Sequence, residues 1–140
     1  MTVHAFIFPG QGSQSVGMGA ELAAAFVPAR EVFQEVDDAL NQKLSALIFE
    51  GPMEDLTRTE NTQPALMAVS LAVLRVLEKE GGLELKRVAA LVAGHSLGEY
   101  SALAAAGSFG IAQTARLLRL RGTAMQKAVP AGEGGMAALI

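Results

Sequence analysis

At 140 residues the chain is one domain's worth or less, and with 51% hydrophobic and 18% charged residues it has the material for a globular core. Its net charge of −3, without a run of basic residues, argues against a nucleic-acid surface, and the lack of cysteine excludes disulfides and thiolate metal sites. The uncharged first twenty residues lack the basic start of a signal peptide, and Pro9 to Gln14 interrupt their apolar run, so a cytoplasmic protein without a membrane span is expected.

The first element is a buried strand, His4-Ala5-Phe6-Ile7-Phe8, stopped by Pro9-Gly10. After the loop Pro9 to Gln14, helical signals run from Met18 to Leu47 with a restart at Pro28. Gly51-Pro52 is a break, and Met53 to Thr59 reads as a short helical turn. Thr62 is the expected N-cap of the next helix, with Pro64 in its first turn, where a missing N–H costs little. Leu66, Val69, Val73, Val76 and Leu77 form one face of it and Met67, Leu71 and Leu74 a second, so burial on most sides is expected before Gly81-Gly82 ends it. Val88 to Ala93 lacks polar alternation and reads as a strand covered on both faces of a parallel sheet. Helices over Gly98 to Ala106 and Ile111 to Val129 follow, broken by Gly107, Gly110 and Pro130. Gly132 to Gly135 is a link, and Met136 to Ile140 looks like the start of a strand. The alternation implies α/β with a parallel sheet, and an ending inside a strand reads as that of a fragment.

Gly94-His95-Ser96-Leu97-Gly98 fits G-x-S-x-G, with a strand before it and a helix after it. Such a turn holds the serine in strained backbone, and glycines on either side remove Cβ atoms that would collide. The hydroxyl projects at the carboxyl edge of the sheet, toward a helix N-terminus. Short Gly/Ser turns also arise by chance in a chain with 15 glycines, but the strand-turn-helix context favours a nucleophile.

The loop Phe8-Pro9-Gly10-Gln11-Gly12-Ser13-Gln14 should leave the same edge. Its N–H groups, with that of Leu97, could serve an oxyanion; an ordinary βα turn is the alternative, and nucleotide-loop spacings are missing. In the last long helix Arg116, Arg119, Thr123, Gln126 and Lys127 share a polar face, whereas Arg121 falls near the middle of the face of Leu117, Leu118, Ala124, Met125, Ala128 and Val129. A guanidinium there needs an anionic partner, either a structural carboxylate, slightly favoured by periodicity alone, or a carboxylate on a substrate. A serine nucleophile also needs a base. His95 adjoins Ser96 and leaves the turn in another direction, and His4 lies at the far end of its strand, so the base is expected beyond Ile140.

Taken together, the loop from Phe8 to Gln14, Thr62-Gln63-Pro64-Ala65-Leu66, Gly94-His95-Ser96-Leu97-Gly98-Glu99-Tyr100 and Arg121-Gly122 resemble the malonyl-CoA:acyl-carrier-protein transacylase family over the whole chain. The resemblance implies an α/β-hydrolase-like parallel sheet core with helices (residues 1–130), truncated at the entry to a ferredoxin-like subdomain (residues 131–140). It implies Ser96 as nucleophile, Gln11 and Leu97 as oxyanion-hole N–H donors, Arg121 as the grip on the malonyl carboxylate and Gln63 as a pocket residue. It further implies malonyl-CoA and acyl carrier protein as partners in fatty acid biosynthesis, and neither metal nor redox cofactor. Leu97, where methylmalonyl-selective relatives often carry Gln, is compatible with malonyl. Family members are longer and carry the catalytic histidine on a later segment, so turnover from these 140 residues alone is not expected.

Three alternatives stand beside this expectation. An acyltransferase domain of a polyketide or fatty-acid synthase is the nearest, and a Met1 three residues before the first strand favours a free-standing enzyme over it. A serine hydrolase would give Arg121 no role. A truncated product that only binds partners would show no turnover.

Overall fold

The computed structural model describes residues 4–129 and 132–134. The expected strand at Met136 to Ile140 and the boundary at residues 130 and 131 lie outside the described residues. The two strands, β1 (His4–Phe8) and β2 (Ala89–Gly94), pair in parallel with Phe8 opposite Gly94, so the chain leaves both at the same edge. A parallel pair needs a crossover, which here comprises α1 (Ala20–Ala25), α2 (Val27–Leu40), α3 (Leu44–Glu50), α4 (Met53–Thr57), α5 (Thr59–Lys79) and α6 (Leu85–Val88). Two more helices follow β2, namely α7 (Gly98–Ala105) and α8 (Ile111–Ala128). The result is a helix-rich α/β fold with a small parallel sheet.

Helix α5 forms the centre. It packs against α2 and α8, which also touch each other, while α7 bridges the sheet to α5 and α8. Every residue of α5 from Asn61 to Ala68 is therefore buried. Leu44, Ile48, Leu56, Met67, Leu97 and Leu118 are the largest fully buried apolar side chains. Further along, α5 is covered on fewer sides than its two apolar faces implied: Leu71, Leu74 and Val76 are buried, but Val73 and Leu77 face solvent.

Several boundaries differ from the sequence expectation. The stretch from Met18 to Leu47 restarts as expected around Pro28, in the first turn of α2 after the extended Phe26, but it is cut a second time at Asn41, which is left-handed at φ 48°. The second cut is stabilised by Asp37. Its carboxylate accepts from the Ser45 N–H at 2.8 Å and the Ser45 hydroxyl at 2.6 Å, supplying acceptors to the first turn of α3. Helix α5 begins at Thr59, not after a cap at Thr62, because the chain turns at Arg58 between α4 and α5. The Thr62 N–H already bonds the Arg58 carbonyl at 2.8 Å, and Pro64 lies inside the helix. Val88 closes α6, so β2 starts one residue later than expected.

Nor is the sheet covered on both faces. Phe6, Phe8, Ala89 and Val92 pack toward the core, but Ile7 is 67% and Leu91 52% exposed, so among the described residues the opposite face of the pair is open. No helix among the described residues is long and apolar enough to cross a membrane.

Candidate active site

At the end of β2 the backbone reverses within four residues. The His95 N–H bonds the Phe8 carbonyl at 3.1 Å, extending the parallel ladder by one rung, and the Gly98 N–H returns to the His95 carbonyl at 2.9 Å. Ser96 sits between them at φ 56°, a left-handed conformation that costs a residue with a Cβ about 1–2 kcal/mol. The turn is too tight for side chains on its flanks. A Cβ at Gly94 would sit inside the backbone of Gly98 and Glu99, and one at Gly98 would run into the carbonyls of Phe8 and Pro9. Leu97 is fully buried and anchors the turn, leaving Ser96 exposed at the start of α7.

Arg121 reaches this serine from α8. Its Nη2 donates to Ser96 Oγ at 3.1 Å and its Nη1 to Gln63 Oε1 at 2.7 Å, while Cζ lies 5.8 Å from the centroid of the Tyr100 ring. The Gln63 Nε2 points the other way, to Met125 Sδ at 3.3 Å, which fixes the amide so that its oxygen faces the guanidinium. The close approach of two helices makes this possible. A Cβ at Gly122 would come within 2.6 Å of the Glu60 Cα and the Thr59 carbonyl, so only glycine lets α8 rest on the first turn of α5.

That first turn holds two further groups. Gln11, in the loop after β1, extends its Nε2 to Thr59 Oγ1 at 3.4 Å. On the opposite flank Arg119 donates from Nη1 to Asn61 Oδ1 at 3.0 Å and from Nη2 to Gln42 Oε1 at 2.6 Å. Asn61 Nδ2 is itself bonded to the Asp55 carbonyl at 2.8 Å. Burial lowers the Arg119 pKa from its ordinary value, and the nearby Glu60 carboxylate partly opposes the shift.

Of the residues singled out in the sequence, Ser96, Arg121 and Gln63 form one hydrogen-bonded set, with Leu97 as the next link of the chain. Gln11 lies in the loop at the same sheet edge and is tied to α5. The structural carboxylate expected as a partner for Arg121 is not found among the described residues, where no Asp or Glu ion-pairs with it. Arg119 is not simply part of a solvated face; it is half-buried and bonded on two sides. His95 is exposed and its imidazole lies over Gly10, while His4 is exposed at the opposite end of the sheet. Among the described residues no group of three His, Cys, Asp or Glu could hold a metal ion. Sequence reasoning missed Thr59, Asn61 and the role of Arg119; the available signal was a polar run, Asn61-Thr62-Gln63, heading a long apolar helix.

A serine on a left-handed turn from a parallel strand into a helix, faced by an arginine, defines the class of α/β protein to which this site belongs. Residues 5–140 match the acyl transferase domain family, and the chain belongs to that family. It is 53% identical over 140 residues to the malonyl CoA-acyl carrier protein transacylase of Salmonella typhimurium, covering 100% of this chain and 44% of that protein. The acyl-carrier-protein-S-malonyltransferase of Bartonella henselae superposes with a TM-score of 0.89 at 63% identity, over 91% of this chain and 40% of that one. A malonyl-transacylase in complex with a type II polyketide acyl-carrier protein superposes with a TM-score of 0.86 at 50% identity, over 94% of this chain and 41% of the other. The chain thus spans less than half the length of these relatives.

Proposed function

We propose that the enzyme carrying these residues is a malonyl-CoA:acyl-carrier-protein transacylase of fatty acid biosynthesis and that Ser96 is its nucleophile. The observation that carries the reading is the Arg121 guanidinium, 3.1 Å from Ser96 Oγ on a left-handed strand-to-helix turn and lacking a carboxylate partner among the described residues. A planar fork of donors beside a serine fits an acyl group that ends in a free carboxylate.

In the first half-reaction Ser96 Oγ attacks the thioester carbonyl of malonyl-CoA and its proton passes to a base. Neither His4 nor His95 is placed for that role, so the base is assigned to another segment of the full-length enzyme. The N–H groups of Gln11 and Leu97 hold the oxyanion. The C–S bond breaks, the coenzyme A sulfur takes the proton, and a malonyl ester remains on Ser96. In the second half-reaction the phosphopantetheine thiol of the carrier protein attacks that ester, a new C–S bond forms as the bond from the acyl carbon to Ser96 Oγ breaks, and the thiol's proton passes to Oγ through the base. Arg121 leaves Ser96 for the malonyl carboxylate, with Gln63 steadying it. An α/β-hydrolase-like core, a ferredoxin-like subdomain beginning near residue 131, a need for neither metal nor redox cofactor, and a cytoplasmic location belong to the same proposal.

Intact-protein mass spectrometry of the full-length enzyme after mixing with malonyl-CoA tests it. A malonyl adduct is expected on the wild type and none on Ser96→Ala; an unmodified wild type refutes the reading. A serine hydrolase would instead keep its esterase activity in Arg121→Ala.

A further inference from the structure

Helix α8 grips the first turn of α5 at three points. Gly122 touches Thr59 and Glu60 at the crossing, Arg121 bonds Gln63 on one flank, and Arg119 bonds Asn61 on the other. Residues two apart on a helix diverge by about 200°, which is why the two arginines pass on opposite sides of the contact and meet acceptors that also diverge. A roll of α8 about its axis would carry Arg121 away from Ser96, and the same roll would pull Arg119 off Asn61. The second bond is braced from outside the site. Asn61 is held by the Asp55 carbonyl in α4, and Arg119 also donates to Gln42 in the link between α2 and α3.

The Arg119 guanidinium is an unusual choice for a packing role. Its donors meet two neutral amides and no carboxylate among the described residues, and its buried Nε has no partner. A charged group in such surroundings carries a desolvation cost that an apolar side chain of similar length would avoid. What a methionine could not supply is direction, namely two donors that fix the angle of α8. We propose that Arg119 and Asn61 are positioning residues which set the roll of α8 and so aim Arg121 at the acyl carboxylate. They touch no substrate; their effect reaches the site through Arg121.

This inference rests on the reading of Arg121 above, and acyl selectivity in the full-length enzyme separates the two. Acylation is followed with malonyl-CoA and with acetyl-CoA, which has no free carboxylate. Arg119→Met should raise the KM for malonyl-CoA by about tenfold, as misaiming a charge-assisted fork requires. It should leave kcat within about threefold and acetyl-CoA acylation unchanged, so that the malonyl-to-acetyl preference falls. Asn61→Ala should reproduce this from the other partner and serves if Arg119→Met does not fold. A folded Arg119→Met or Asn61→Ala with the wild-type preference overturns the proposal, as does an equal loss with both thioesters, the mark of a merely structural role. If instead Arg121→Ala keeps the malonyl preference, the reading of Arg121 itself has failed.

Discussion

Ser96 is the one non-glycine residue of the elbow held at positive φ, and its backbone cost is independent of what its hydroxyl does. Glycine adopts that conformation freely but loses more entropy on folding, about 0.5–1 kcal/mol, against a strain of about 1–2 kcal/mol for serine. Ser96→Gly should therefore leave the full-length enzyme as stable or about 1 kcal/mol more stable in urea denaturation, while removing the malonyl adduct. Ser96→Ala removes the adduct too but keeps the strain, so it should show no such gain. The elbow could be read in the sequence because glycines are required at both ends of a tight turn. The Arg121 contact was legible only as a misfit, a cation on an apolar face whose partner the periodicity of one helix could not name.

Between elements the decisive position is Gly122, which is buried where α8 crosses α5. A valine there has its Cβ inside the backbone of Thr59 and Glu60, so the helices must separate. Gly122→Val should cost about 1–3 kcal/mol by denaturant titration, and should also lower the malonyl-to-acetyl preference, because the Arg121–Gln63 and Arg119–Asn61 pairs straddle that crossing. Loss of stability with an unchanged preference would separate packing from aim. Sequence reading gave the two helices but not their contact. Hydrophobic periodicity reports which side of a helix is apolar, whereas Arg119 finds Gln42 across 77 residues of chain and Gln11 finds Thr59 across 48. Such pairings are set by packing, and Asn41 and Arg58 broke helices where neither a glycine nor a proline marks the sequence.

At the scale of the whole fold, the core formed by the described residues is asymmetric. Apolar burial concentrates on α5 and its neighbours, and the sheet contributes from one face only. Met67, fully buried in α5, should be far more costly to truncate than a side chain on the open part of that helix. Met67→Ala is expected to lose about 2–5 kcal/mol, and Val73→Ala less than about 1 kcal/mol, both by urea denaturation of the full-length enzyme. Strand order and direction were readable from short apolar runs before Pro9 and Gly94. Which strand face would be open was not, because a run without polar alternation looks the same whether one side or both are covered.

The turn from Thr59 to Gln63 has a consequence for how such a chain can change length. Gln11, Arg119 and Arg121 each dock on a different residue of it, at positions 59, 61 and 63. One residue inserted between Thr59 and Gln63 would rotate the remainder of α5 by about 100° relative to the loop, and no adjustment of side chains could restore all three dockings together. The same insertion at Gly81 or Gly82, both exposed and beyond the end of α5, would lengthen a turn and leave the three dockings in place. Length variation in chains of this kind should therefore collect in the turn before α6 and be absent from the first turn of α5.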